Sequence, residues 1–240
     1  MVDHLGHAFV VDPGDAAPVR RVLQQEGLQL DAILVTHHHA DHIGGVSELR
    51  DLTQATVHGP VREAIPDPFE PVMQDVSLNL LGLNWQVMDV PGHTAGHVAY
   101  FCADFDTEPL LFCGDTLFSA GCGRVFDGTM NQLHQSLQSL ARLPPDTRVC
   151  CTHEYTLSNL RFALAVEPDN ATLIQHMTHC QQLRDHGQMT LPSRLGQELQ
   201  INPFLRTHVP SVIRAAQSRE PSALTDVAIF AALRTWKNVF

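Results

Sequence analysis

The stretch Thr36-His37-His38-His39-Ala40-Asp41-His42 decides the fold of this sequence. It directly follows the apolar residues AILV at positions 32–35, which predict a buried strand. Residues two apart on an extended backbone point the same way, so we expect His37 and His39 to converge on one metal ion. The chain then turns, which lets Asp41 and His42 face a second ion beside the first.

Three later residues also stand at the ends of apolar strands. His93, Asp115 and His153 follow predicted strands that end at residues 90, 113 and 151. Because strand ends along one sheet edge can gather in space, we expect these side chains to complete the site. The predicted ligands are His37, His39 and His93 for one metal, Asp41, His42 and His153 for the other, and Asp115 as a bridge between the two.

A predicted site for two divalent ions side by side indicates a hydrolase. Together they lower the pKa of a shared water towards 7 and polarise a substrate carbonyl. Imidazole and carboxylate ligands suit Zn, which we expect, and also Fe or Mn. Asp115 and Asp41 are the predicted catalytic residues, since Asp115 can bind both ions and Asp41 can orient the attacking hydroxide. His38 is expected to point away from the ions, and His97 has no place in this scheme.

Composition excludes several classes of protein. The 240 residues are 44% hydrophobic and 17% charged, which favours a folded chain over a disordered one. The net charge of −11 disfavours nucleic acid as a partner. No apolar run approaches a membrane span, and no secretory signal is visible. The six cysteines do not form a secreted disulfide pattern, so we expect a reducing, cytoplasmic location. Nothing in the sequence suggests an obligate interface, so we expect a monomer.

The order of predicted elements divides the chain in two. Strands dominate up to residue 153, with a helix that Asp15 caps and Gly27 ends, and another over residues 130–143. Residues 59–71 are rich in proline and predict a loop. Helical patterns dominate afterwards. We therefore predict a metal-binding domain over residues 1–153 and a helical, substrate-binding domain over residues 154–240.

The HxHxDH stretch and the later His93, Asp115 and His153, in this order, resemble the metallo-β-lactamase superfamily. This resemblance implies an α/β fold, the αββα four-layer sandwich, with a binuclear metal site along one edge and a helical C-terminal region added. It also implies that Asp12 supports the site from behind the ligands.

Longer motifs are similar to those of the glyoxalase II (hydroxyacylglutathione hydrolase) family. They are LFCGDTLF at 111–118, AGCGR at 120–124, HEYT at 153–156, NPFLR at 202–206 and RTWK at 234–237. The similarity covers nearly the whole chain. It implies hydrolysis of S-D-lactoylglutathione, and of related 2-hydroxyacyl-glutathione thioesters, to glutathione and D-lactate, the second step of methylglyoxal detoxification.

The same resemblance places glutathione contacts at Arg124, Tyr155, Arg234 and Lys237. Glutathione carries two carboxylates and one amine, so a pocket of cations and donors suits it. Lys237 is the only lysine of the chain, and its i, i+3 spacing from Arg234 puts both on one helix face. The alternative interpretation of this pair is a solvated basic helix end.

Two features depart from the family pattern. A frequent tyrosine two residues after the basic loop position is Phe126 here, which removes one hydrogen bond to glutathione, worth about 0.5–1.5 kcal/mol. The family usually has one or two strands before the region of residues 2–12. We therefore expect a shortened start or an internal start codon, with a sheet edge exposed.

Three other functions are compatible with parts of the pattern. One is a different hydrolase of the same fold, such as a lactonase, a β-lactamase or a phosphodiesterase. The second is a persulfide dioxygenase with one iron, which the presence of Asp41, His42 and His153 argues against. The third is a non-catalytic metal-binding or redox-sensing protein that uses Cys122 or the pair Cys150-Cys151.

Overall fold

The computed structural model describes all 240 residues, which divide into two compact units. The first unit consists of Met1–Asp89 and Thr94–Gly114, and the second of Val90–His93 and Asp115–Phe240. The chain passes into the second unit for four residues, Val90–His93, before it returns to the first.

A parallel four-stranded sheet begins the first unit, in the order β1-β2-β3-β4. Its elements are β1 (His7–Val11), α1 (Ala16–Glu26), β2 (Gln29–Leu34), α2 (Ala40–Ile43), α3 (Val46–Thr53), β3 (Thr56–Pro60) and β4 (Glu70–Val72). Helix α1 begins where the Asp15 carboxylate accepts the amide of Ala17 at 2.9 Å and ends at Gly27 in the left-handed region (φ 65°). Ile33, Val35, Val46 and Leu49 are buried in the core beneath these helices.

An antiparallel run of four strands completes the first unit. It consists of β5 (Ser77–Leu80), β6 (Leu83–Asp89), β7 (Val98–Cys102) and β8 (Leu110–Gly114), paired in chain order. Every residue of β7 is buried. Trp85 of β6 packs edge-on against Phe9 of β1 with ring centroids 5.3 Å apart, and the Tyr100 hydroxyl donates to the Val35 carbonyl at 2.8 Å. These contacts join the two strand systems within this unit.

The second unit is mostly helical. It contains the short antiparallel pairs β9 (Leu117–Phe118) with β10 (Gly121–Cys122) and β11 (Arg148–Cys151) with β12 (Ser193–Arg194). Its helices are α4 (Met130–Leu140), α5 (Thr156–Val166), α6 (Ala171–Asp185), α7 (Leu195–Ile201), a 3₁₀ turn (Pro203–Leu205), α8 (Pro210–Gln217) and α9 (Asp226–Asn238). Leu160, Ala163, Leu173 and Ile201 form part of its apolar core.

Most predicted elements are present, and three differences have simple physical reasons. Residues 59–71 are not loop throughout, because β3 extends to Pro60 and Glu70–Val72 form β4 at the sheet edge, where proline is tolerated. Helix α7 was not predicted, because its seven residues are too few for a periodic pattern. The β9–β10 hairpin has two residues per strand, which also leaves no pattern. No helix combines the length and apolar character needed to cross a membrane, and none of the six cysteines forms a disulfide.

Candidate metal centre

Asp12 organises the ligand stretch of the first unit. Its backbone is in the left-handed region (φ 49°), and its carboxylate accepts hydrogen bonds from the amide and the hydroxyl of Thr36, both at 2.7 Å. The same carboxylate lies 3.0 Å from Nδ1 of His42. A carboxylate at Nδ1 fixes the tautomer with its proton there, so that Nε2 carries the lone pair that a metal can take. The contact with His42 agrees with the supporting role that the family resemblance implies for Asp12, and that role stays a prediction.

His37 and His39 meet as the extended backbone predicts. His37 is buried, and its Nε2 lies 3.1 Å from Nδ1 of His39. Two nitrogens that bind one tetrahedral ion at 2.0–2.1 Å are about 3.3 Å apart, so this spacing suits a shared ion. Oδ2 of the exposed Asp41 is 3.9 Å from Nε2 of His42. His97, which the prediction left without a place, stacks on His37 with ring centroids 4.6 Å apart.

Glu63 is a functional candidate that sequence reasoning missed. Its side chain is 1% exposed, and its carboxylate contacts Nδ1 of His38. It also accepts the backbone amides of His38 at 3.1 Å and Gly96 at 2.7 Å. These bonds fasten the segment of His37 and His39 to the segment before His97, and they turn His38 towards Glu63. No motif marks Glu63, because it lies in a proline-rich stretch without periodicity.

In the second unit, Asp115 lies between two histidines. Its Oδ2 is 3.5 Å from Nε2 of His93, and its Oδ1 is 3.5 Å from Nε2 of His153. Nδ1 of His93 is 2.8 Å from the Arg124 carbonyl, which fixes the proton on Nδ1 and the lone pair on Nε2. Because each carboxylate oxygen lies near a different imidazole, Asp115 is placed where one carboxylate could bind two ions. The donor atoms of both units therefore fit divalent ions of the kind that prefer nitrogen and carboxylate oxygen.

The backbone between Asp115 and Arg124 is held by buried side chains from α5, from α7 and from Asn202 directly after α7. Asn202 donates to the carbonyls of Phe118 at 3.1 Å and Gly121 at 2.9 Å, and Asn159 donates to that of Ser119 at 3.0 Å. The carboxylate of Glu198 accepts the amide of Ala120 at 2.7 Å, where φ is 53°. Burial raises the pKa of Glu198 to about 7. The hairpin that leads away from Asp115 is thus fixed in shape by residues far along the chain.

The predicted glutathione contacts have different environments. Arg124 is exposed, and the half-exposed Tyr155 stacks on His153 with ring centroids 5.1 Å apart. Lys237 is half-buried, its ammonium group lies 3.5 Å from the Ser158 carbonyl, and burial lowers its pKa to about 8, with Arg234 as the next cause. Arg234 is only 3% exposed and donates from Nη1 to the carbonyls of Cys122 at 2.8 Å and Gly123 at 3.4 Å.

Comparison with known proteins first defines the class. Residues 1–153 match the family model of the metallo-beta-lactamase superfamily. The crystal structure of ETHE1 from Myxococcus xanthus aligns with a TM-score of 0.65 and 26% identity over 100% of this chain and 92% of that one. The structure of TTHA1623 in a di-iron-bound form aligns with a TM-score of 0.57 and 28% identity over 82% and 88%. The chain is therefore a member of the metallo-β-lactamase superfamily, and the predicted α/β fold with a helical C-terminal region is confirmed.

The particular family follows from the remainder of the chain. Residues 154–240 match the model described as hydroxyacylglutathione hydrolase C-terminus. The hydroxyacylglutathione hydrolase of Albidiferax ferrireducens is 60% identical over 240 residues, which are 100% of this chain and 94% of that protein. The chain belongs to the hydroxyacylglutathione hydrolase family, a family of thioesterases. The predicted family is confirmed over the persulfide dioxygenase alternative, whereas the roles of the individual site residues stay predictions.

Proposed function

We propose that this protein hydrolyses S-D-lactoylglutathione, and related 2-hydroxyacyl-glutathione thioesters, to glutathione and D-lactate. The observation that carries the proposal is the position of Asp115, whose two carboxylate oxygens each lie 3.5 Å from Nε2 of a different histidine, His93 or His153. A carboxylate with one oxygen towards each of two ions can hold them side by side, and such a pair activates a water for hydrolysis. The name of the relative from Albidiferax ferrireducens supports the thioester as the substrate.

The proposed cofactor is a pair of divalent ions, with Zn as the first choice and Fe or Mn as alternatives. The proposed ligands are His37, His39 and His93 for one ion, Asp41, His42 and His153 for the second, and Asp115 for both. When bound, such a pair lowers the pKa of a water towards 7 and polarises the thioester carbonyl.

The side chains behind the ligands prepare the site for this chemistry. Asp12 holds the proton of His42 on Nδ1, and the Arg124 carbonyl does the same for His93, so both rings present Nε2. Asp41, which is exposed, is proposed to orient the attacking water. The leaving group is a thiol with an ordinary pKa of about 8.5, so the reaction does not depend on a separate general acid.

The glutathione portion is proposed to bind beside Arg124, Tyr155, Lys237 and Arg234. The exposed Arg124 and the half-buried Lys237 supply positive charge for the two carboxylates of glutathione. Tyr155 supplies a hydroxyl donor and stacks on the proposed ligand His153.

The remaining proposals from the sequence are a substrate domain at residues 154–240, a metal domain at residues 1–153, a cytoplasmic location and a monomeric state.

The test is hydrolysis of S-D-lactoylglutathione by purified protein, with metal content measured on the same sample. Turnover with about two ions per chain is expected. The control is Asp115→Asn, which keeps the shape of the side chain but removes its charge and one metal-binding oxygen, and which should lower both turnover and metal content. No turnover with two ions bound would refute this substrate and favour another substrate on the same fold. Turnover without bound metal would refute the metal chemistry.

A further inference from the structure

Arg234 is a buried cation that forms hydrogen bonds with the protein backbone. Its side chain belongs to α9, and the residue is 3% exposed. Nη1 donates to the carbonyls of Cys122 at 2.8 Å and Gly123 at 3.4 Å, and it also lies 3.7 Å from Sγ of Cys122. The guanidinium stands over the Phe204 ring at 5.2 Å from the centroid. A side chain enclosed in this way stabilises one arrangement of the backbone at residues 122–123.

The backbone that Arg234 holds passes directly along Asp115. The amide of Gly123 donates to the carbonyl of Thr116 at 3.3 Å. A Cβ atom at position 123 would lie 2.0 Å from the carbonyl oxygen of Asp115 and 3.0 Å from Nδ1 of His93. Glycine is therefore required here by close approach, and a small shift of this segment would press on two proposed metal ligands.

The same segment then fastens His93 at two points. The carbonyl of Arg124 is 2.8 Å from Nδ1 of the His93 ring, and the amide of Phe126 donates to the His93 carbonyl at 3.0 Å. The Phe126 ring also lies against the His93 ring, with centroids 5.3 Å apart. The carbonyl that sets the tautomer of His93 thus belongs to the residue next to the one that Arg234 holds.

We propose that Arg234 is a positioning residue for His93. Its bonds to the carbonyls of Cys122 and Gly123 fix the segment whose next carbonyl, that of Arg124, orients the imidazole and keeps its proton on Nδ1. The inference rests on the proposed function for the metal role of His93. Partners that orient a metal-binding histidine contribute about 10–100-fold to metal affinity. The planar guanidinium reaches two carbonyls at once, which the single ammonium of a lysine does more poorly.

A neighbouring residue on the same helix provides the matched control. Lys237 follows Arg234 by three residues on α9 and is proposed to bind glutathione. Its ammonium group lies 3.5 Å from the Ser158 carbonyl and 5.3 Å from the centroid of the Phe162 ring, whereas the carbonyls of residues 122 and 123 accept from Arg234. Loss of either cation is expected to raise KM. Only loss of Arg234 is expected to change metal binding as well.

The experiment compares native protein, Arg234→Lys, Arg234→Ala and Lys237→Ala after removal of metal and reloading with Co²⁺. The measurements are the Co²⁺ dissociation constant, from competition with a chromogenic chelator, and the visible spectrum of the loaded protein, which reports ligand geometry. Thermal unfolding of the metal-depleted proteins checks folding. For both Arg234 variants we expect weaker binding of one Co²⁺, by about tenfold or more, and an altered spectrum. Lys237→Ala is expected to match native protein in both.

Unchanged Co²⁺ affinity and spectrum in Arg234→Lys, with only KM raised, would overturn the inference and leave Arg234 a substrate contact. Lower thermal stability without a change in Co²⁺ binding would overturn it too. If Arg234→Ala does not fold, Arg234→Lys decides, because it keeps the charge and most of the volume. The proposed substrate can fail separately, since native protein that binds Co²⁺ but does not cleave the thioester still gives both metal readouts. Native protein that binds no Co²⁺ would overturn both proposals.

Discussion

Raising the pH from 7 to 9 is expected to weaken binding of the glutathione thioester through Lys237. Burial of the ammonium group is the main cause that lowers its pKa to about 8; Arg234, Arg161 and Arg124 contribute in the same direction, and Cys122 opposes them. The group is charged below this pKa and neutral above it. Attraction for a glutathione carboxylate is therefore nearly complete at pH 7 and is lost as the pH rises through 8.

The size of the effect follows from the protonated fraction. If only the charged form binds, the apparent KM scales inversely with that fraction. With a pKa of about 8, roughly nine tenths of Lys237 is protonated at pH 7 and about one tenth at pH 9, so KM should rise about tenfold. A charge-assisted hydrogen bond is worth about 1.5–3 kcal/mol, which allows a change of at least tenfold. The protonated fraction, not the strength of the bond, therefore sets the observed change.

The assay is the initial rate of S-D-lactoylglutathione hydrolysis between about pH 6.5 and 9.5, with uncatalysed thioester loss subtracted. The control is Lys237→Arg, because a guanidinium stays charged over this range. Its KM should stay nearly constant while that of the native protein rises. An equal rise in both proteins would refute the assignment and place the titrating group elsewhere, for example on the amine of the substrate.

Three further changes test other parts of the site. Gly123→Ala, whose Cβ would lie 2.0 Å from the Asp115 carbonyl oxygen, should lower bound metal and turnover by more than about tenfold, as measured by metal analysis beside rate assays. Glu63→Ala should weaken metal binding by about 10–100-fold in chelator competition, and Glu63→Gln by less, because its amide oxygen can still accept the Gly96 amide. Burial raises the pKa of Glu198 to about 7 from an ordinary 4.5, so folding stability should fall as the pH rises from 5 to 7, where only the unfolded chain ionises. Glu198→Gln cannot ionise and should not show this loss. In denaturant titrations, its free energy of unfolding relative to that of native protein should rise by about 2 kcal/mol between pH 5 and 7. A difference between the two proteins that does not vary with pH would contradict the assignment.

Local signals in the sequence predicted the elements that carry the proposed ligands. Helix α1 follows from Asp15 as cap and Gly27 as stop, and both act as expected. The strands before His93, Asp115 and His153 are present as β6, β8 and β11. Each depends on neighbouring residues alone, which is why a sequence pattern can predict it.

Contacts between distant residues could not be predicted in this way. Glu63 reaches Gly96 across 33 residues, and Glu198 reaches Ala120 across 78, from positions where no periodicity or motif marks a carboxylate as buried. Arg234 was predicted from family resemblance to contact glutathione, and nothing in its local sequence indicates that it donates to the carbonyl of Cys122, 112 residues earlier. Such pairs depend on tertiary packing, which a sequence pattern does not contain.

The hairpin of residues 117–123 is synthesised long before the side chains that hold it in shape. Its backbone receives partners from Asn159, Glu198, Asn202 and Arg234, which are synthesised up to 112 residues after the hairpin itself. Until α9 has emerged from the ribosome, the carbonyls of residues 122 and 123 remain without the guanidinium that holds them, and unsatisfied polar groups resist burial. A nascent chain that has already produced all seven proposed ligands therefore still lacks the final shape of this segment. Premature termination before Arg234 would yield a chain with every proposed ligand present but with this backbone without its guanidinium support.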